Sequence, residues 1–186
     1  MLEFLPIIHV LGVVFGAGGA FASDLMFFST VRDKKISKTE LRFMRLGSTM
    51  VWVGLGILAL SGLAMFLTAP DVYAASSKFQ LKMTVVAVIV INGLVFHRFH
   101  IPRMKRHAGS HLPSSDEFMR NRHWLLISGG ISSSSWLTAF LLGSLRSIPL
   151  TYSQGLLLYA VLLAIAITGA LVMKSRLLPH HRFTNA

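Results

Sequence analysis

Apolar residues in this chain gather into five long blocks, separated by short polar stretches that hold most of the prolines and basic residues. The blocks run over about 5–30, 44–68, 79–99, 123–145 and 155–173. Each approaches or exceeds the roughly 20 residues that an α-helix needs to cross the hydrocarbon of a bilayer. The strands of a membrane barrel would instead be segments of about 10 residues with alternating character, and no block alternates. Pro70, Pro102, Pro113 and Pro149 lie in the connections. Pro6 sits at a helix start, where its missing N–H is not needed. The pattern predicts an all-α integral membrane protein, a five-transmembrane-helix bundle forming a single membrane domain over 1–186. The one polar segment of any size is a loop over 100–121.

Composition agrees. Of 186 residues, 53% are hydrophobic and 13% charged, about half the ~25% charge of a soluble domain, and the mean hydropathy is +0.63. Cysteine is absent, which excludes disulfides, iron–sulfur clusters, thiolate zinc sites, thiol catalysis and covalent c-type haem attachment. The opening MLEFLPIIHV carries Glu3 where a signal peptide would be basic, and its apolar block outlasts a signal core. It reads as a retained transmembrane helix.

The net charge of +11 is distributed unevenly. Arg32, Lys34, Lys35, Lys38, Arg42 and Arg45 cluster around the first connection, and Arg98, Arg103, Lys105, Arg106, Arg120 and Arg122 around the third. Lys174, Arg176 and Arg182 follow the last block, leaving only Lys78, Lys82 and Arg146 for the other side. Basic residues accumulate on the cytoplasmic side, so the N-terminus is expected outside, with the C-terminus and the 100–121 loop in the cytoplasm. The expected location is the inner (plasma) membrane. Topology and attraction to anionic lipid account for the charge, and no nucleic acid partner is required.

Helices in lipid associate through small residues and polar pairs. Gly12, Gly16, Ala20 and Asp24 form a stripe at four-residue spacing on the first helix, suited to close packing or to a flat cofactor. Ser132 to Ser135 run around the whole circumference of the fourth, where some hydroxyls are expected to bond back to carbonyls one turn earlier. Ser114-Ser115-Asp116-Glu117 has the form of a cap for a short helix leading into that span. No internal repeat or inverted pair of halves is visible.

Ionisable side chains at membrane depth are costly and point to function. His9 and Lys82 fall near one face, and Asp24, Arg45, His97 and His123 near the other, with Asn92 near the middle. His9 and Asp24 are about 22 Å apart at the α-helical rise and cannot share one small site. Asp24 and Arg45 sit at facing helix ends as a polar pair, either a structural ion pair or a proton path or anion anchor. His97 and His123 end consecutive antiparallel helices and are candidates to hold a second haem. His97 and His100 lack the acidic partner of a metal hydrolase. His9 is either a packing histidine or the axial ligand of a haem iron. Met65 and Met83, at similar depth, either pack or take the opposite axial position, and Lys82 either snorkels outward to the interface or holds a propionate.

The segment His9-Val10-Leu11-Gly12 followed by Gly16-Ala17-Gly18-Gly19 and Phe27-Phe28, together with Leu67-Thr68-Ala69-Pro70 leading to Lys82-Met83-Thr84-Val85, resembles the HemJ-type membrane proteins linked to protoporphyrinogen oxidation, and their CopD-like relatives. The resemblance implies a five-helix protein that binds haem b through His9. Where that family carries further histidines late in its first helix and midway along its third, this chain has Phe27-Phe28-Ser29 and Ile91-Asn92-Gly93. The oxidase activity is therefore not implied.

Three functions are compatible with these features. The first is a haem-b membrane redox protein that passes electrons or oxidises a porphyrin- or quinone-like substrate. The second is a non-catalytic accessory subunit of a larger membrane complex. The third is a small transporter or channel using Asp24, Arg45 and Asn92, as a homo-oligomer.

Overall fold

The computed structural model describes the backbone of residues 4–33, 37–106 and 116–177, and the side chains of these ranges except at 27–33, 103–104, 116–122 and 173–177. Among the described residues the chain is helical, without strands. In order come α1 (Phe4–Asp33), α2 (Lys38–Phe66), a short α3 (Pro70–Ala75), α4 (Ser77–Val95), a π turn (Phe96–His100), α5 (Ile101–Arg106), α6 (Asp116–Ser144) and α7 (Tyr152–Leu177). Five stretches are long and apolar enough to cross a membrane: Phe4–Met26, Lys38–Phe66, Ser77–His100, His123–Ser144 and Tyr152–Val172. Their outward faces are strongly apolar, with Leu60 74%, Leu157 67% and Ile165 64% exposed. Water does not tolerate such a surface on this scale and lipid does. The fold is that of a multi-pass membrane protein.

Helix ends follow capping chemistry more closely than hydropathy. α2 begins at Lys38, ahead of its apolar block. Ser37 Oγ accepts from the Glu40 N–H at 3.1 Å, and the Ser37 N–H donates to Glu40 Oε2 at 2.7 Å, which satisfies two of the orphan donors of a helix N-terminus. The cap expected at Ser114-Ser115 lies outside the described residues. Downstream of it there is one continuous helix, α6, which starts at Asp116 and runs through the span.

The loop expected from residue 100 begins later, because the helical path continues to Arg106. The π turn makes this possible. The Ile101 N–H donates to the Phe96 carbonyl, five residues back, and the widened turn accommodates Pro102, which has no N–H for the regular ladder. α3 was likewise not legible in the hydropathy. Pro70 opens it, and Tyr73 packs with Phe66 and Phe79, the latter two rings stacked at 5.5 Å.

α6 is central, packing against α1, α4 and α7, while the most extensive pairing is α1 with α2. The consecutive spans α2 and α4, with α3 between them, touch only slightly. The core comprises Leu55, Leu58, Leu81, Val85, Ile89 and Tyr159 around Trp136, which is 1% exposed. The small-residue stripe of α1 serves packing. A Cβ on Gly54 would lie 2.7 Å from Gly12 O and Gly16 Cα, one on Gly19 would lie 2.6 Å from Gly47 O, and Gly16 faces the Trp136 indole. Protein therefore fills the face that a flat cofactor would have needed.

Polar pairs join the remaining helices. Ser135 and Tyr159 share a hydrogen bond of 2.8 Å between α6 and α7, and Thr84 and Tyr152 one of 3.1 Å between α4 and α7. Lys78 Nζ donates to the carbonyls of Leu145 and Arg146 just past the end of α6, where a cation is favoured by the helix dipole.

Candidate functional site

Two polar neighbourhoods lie at opposite ends of the α1 span. In the first, His9 faces α2, where Gly62 leaves room for its ring. His9 Nδ1 lies 2.9 Å from Ser61 Oγ, and Ser61 is buried. The Ser61 hydroxyl is 2.6 Å from the Ile57 carbonyl. A carbonyl cannot donate, so the single hydroxyl proton lies in that bond, and Ser61 accepts from His9 Nδ1–H. In neutral His9 the lone pair is thereby assigned to Nε2. An Nδ1–H held by a neighbouring oxygen is the arrangement that orients a metal-ligating imidazole.

Lys82 on α4 is half-buried and close enough for its charge to act on His9. It has no hydrogen bond or ion pair among the described residues. Met65 follows Ser61 by one turn and shares its face of α2, whereas Met83 is 47% exposed.

The second neighbourhood surrounds Asp24. Ser133 on α6 donates to Asp24 Oδ2 at 2.7 Å, and Oδ1 lies beside Gly129. Asp24 and Arg45 form no ion pair: Arg45 is exposed on α2 while Asp24 turns toward α6. The rotation of α1 that seats its glycines on α2 directs Asp24 to the neighbouring helix. A cavity of about 50 Å³ adjoins the carboxylate, lined by α1, α2, α4 and α6.

The four consecutive serines of α6 divide their roles. Ser133 holds Asp24 and Ser135 holds Tyr159, Ser132 lines the cavity, and Ser134 alone bonds back to a carbonyl, that of Gly130 at 2.6 Å. Asn92 pairs with Ser128 across α4 and α6.

The two histidines expected to approach each other are not hydrogen-bonded. His97 is exposed on the π turn and His123 packs on the adjacent Trp124, ring centres 5.3 Å apart. His100 is the buried histidine there, packed on Phe96 at 5.6 Å. Sequence reasoning placed His100 just beyond the span and gave it no inward role, because the π turn changes which residues face inward. It also missed Ser61 and Ser133 as partners, since serine is common in membrane helices and carries no signal of its own.

The chain matches no protein-family model, no curated protein and no solved structure.

Proposed function

We propose that this chain is a haem-b-binding redox protein of the inner membrane, with its N-terminus outside and its C-terminus in the cytoplasm. The observation that carries the reading is the Ser61–His9 hydrogen bond, which leaves Nε2 as a lone-pair donor on a held imidazole. His9 would hold the iron, Lys82 would pair with a propionate, and Met65, less exposed than Met83, would be the better of the two methionines to contribute a second ligand. The half-buried, unpartnered ammonium of Lys82 supports the assignment, since a cation at that depth is stabilised by an anion.

Bound haem supplies one-electron chemistry, and the protein sets its potential through axial ligation and the polarity of its surroundings. Here Ser61 raises the basicity of His9, Lys82 adds positive charge, and the lipid-facing shell excludes water. The segregation of fifteen of the 18 basic residues to one side supports the orientation.

The test is an optical spectrum of the detergent-purified protein, oxidised and then reduced with dithionite, with pyridine extraction to count haem. A b-type spectrum near one haem per chain, lost in His9→Ala, is the expected result. A colourless protein from cells supplied with haem precursor overturns the reading and leaves that of a non-catalytic subunit of a larger complex.

A further inference from the structure

The Asp24 cavity is far from His9 and plays no part in the haem reading. Its lining is unusual for the interior of an apolar bundle. Ser48 and Ser132 line the cavity with hydroxyls that have no hydrogen-bond partner, while the Ser23 oxygen, also unpartnered, is buried against Gly47. Asn92 lines the same space, but its amide is engaged with Ser128. Asp24 is the one titratable group among the lining residues, and no cationic side chain from α1, α2, α4 or α6 is among them. Ser133 satisfies one oxygen of the carboxylate and leaves the other beside the cavity.

A carboxylate at membrane depth with one hydroxyl partner is under-compensated, and two lining hydroxyls without acceptors add unsatisfied polar groups. One occupant resolves both. We propose that this cavity binds a small monovalent cation of the size of sodium between Asp24 and the hydroxyls of Ser48 and Ser132.

The donors select this class. All are hard oxygens, which excludes soft transition metals. One carboxylate is too few for a calcium site of six to eight oxygen ligands with several carboxylates, and no group of three His, Asp or Glu suited to a metal occurs among the described residues. The size agrees as well. One water needs roughly 10–15 Å³ of such space, so about 50 Å³ admits an ion with a few waters and excludes an organic substrate.

The experiment is thermal unfolding of the full chain in detergent, in sodium chloride against N-methylglucamine chloride at equal ionic strength, at pH 8 and pH 6. The expected result is a saturable rise in Tm with sodium, absent with N-methylglucamine and abolished in Asp24→Asn. In Ser132→Ala the half-saturating sodium concentration should rise several-fold. No sodium response, with a rise in Tm at the lower pH that Asp24→Asn removes, is the signature of Asp24 simply taking up a proton and overturns the proposal. If native protein and Asp24→Asn respond alike to both cations, the proposal is overturned and the cavity holds only water. Should Asp24→Asn not fold, an unchanged half-saturation in both Ser48→Ala and Ser132→Ala overturns it equally. The readout contains no haem signal, so it stands or falls separately from the proposed function.

Discussion

Asn92 and Ser128 exchange two hydrogen bonds. The Asn92 amide donates to the Ser128 carbonyl at 3.0 Å, and the Ser128 hydroxyl donates to Asn92 Oδ1 at 2.9 Å. The pair borders two spaces, the polar cavity beside Asp24 and a groove of about 460 Å³ lined mainly by apolar side chains such as Val88, Ile91, Phe99 and Ile127. It ties α4 to α6 and separates an oxygen-lined interior from an apolar flank.

Asn92→Ala removes both bonds and joins the two spaces. Polar pairs between membrane helices contribute about 0.6 kcal/mol on average and at most about 1.7, and this one is doubled. A loss of about 1 kcal/mol is expected in detergent unfolding, and unchanged stability would show that the pair contributes nothing net.

Gly54→Ala places a methyl against the α1 backbone at Gly12 and Gly16, and backbone cannot move aside as a side-chain tip can. A destabilisation of about 1–3 kcal/mol follows from overpacking. Gly56, on the same helix, has open space at its Cβ position. Gly56→Ala should be neutral or stabilising by up to about 1 kcal/mol from helix propensity. Parallel melting curves of the two variants separate packing from propensity.

Tyr159→Phe leaves the Ser135 hydroxyl without its partner in a fully buried position. The single change should cost about 1 kcal/mol. In a double-mutant cycle Ser135→Ala should recover part of this, since it removes the stranded group. Strict additivity of the two changes would show that the bond is energetically silent.

Ser61→Ala tests the His9 assignment without removing the proposed ligand. With the orienting oxygen gone, haem affinity should fall by about 10–100-fold and the midpoint potential should shift, with Ser61→Thr restoring both. If haem content and potential are both unchanged, Ser61 only packs.

Much of the architecture was legible in the chain itself. Five apolar blocks gave five spans because hydropathy summed over some 20 residues is a one-dimensional property that needs no knowledge of neighbours. The Gly12–Gly16–Ala20 stripe pointed to close packing, since only small side chains let helix axes approach. Element ends were less legible. The capping box at Ser37 and Glu40 and the π turn before Pro102 are backbone events that hydropathy does not register.

The sequence by itself determined the number of membrane helices, the segregation of basic residues to one side, and the seam along α1. Only the tertiary structure decided which polar group meets which. Asp24 shares a helix end with Arg45 in sequence, yet it bonds Ser133 on α6. His9 finds its partner in Ser61, 52 residues away. Such pairings depend on the rotation of each helix about its axis and on the lateral order of the bundle. In that order α6 lies at the centre, and α2 makes little contact with the next span, α4, beyond the Phe66–Phe79 stack. Neither quantity is local, because each is set when the glycine seam, the Trp136 contact and the interhelical hydrogen bonds are satisfied together.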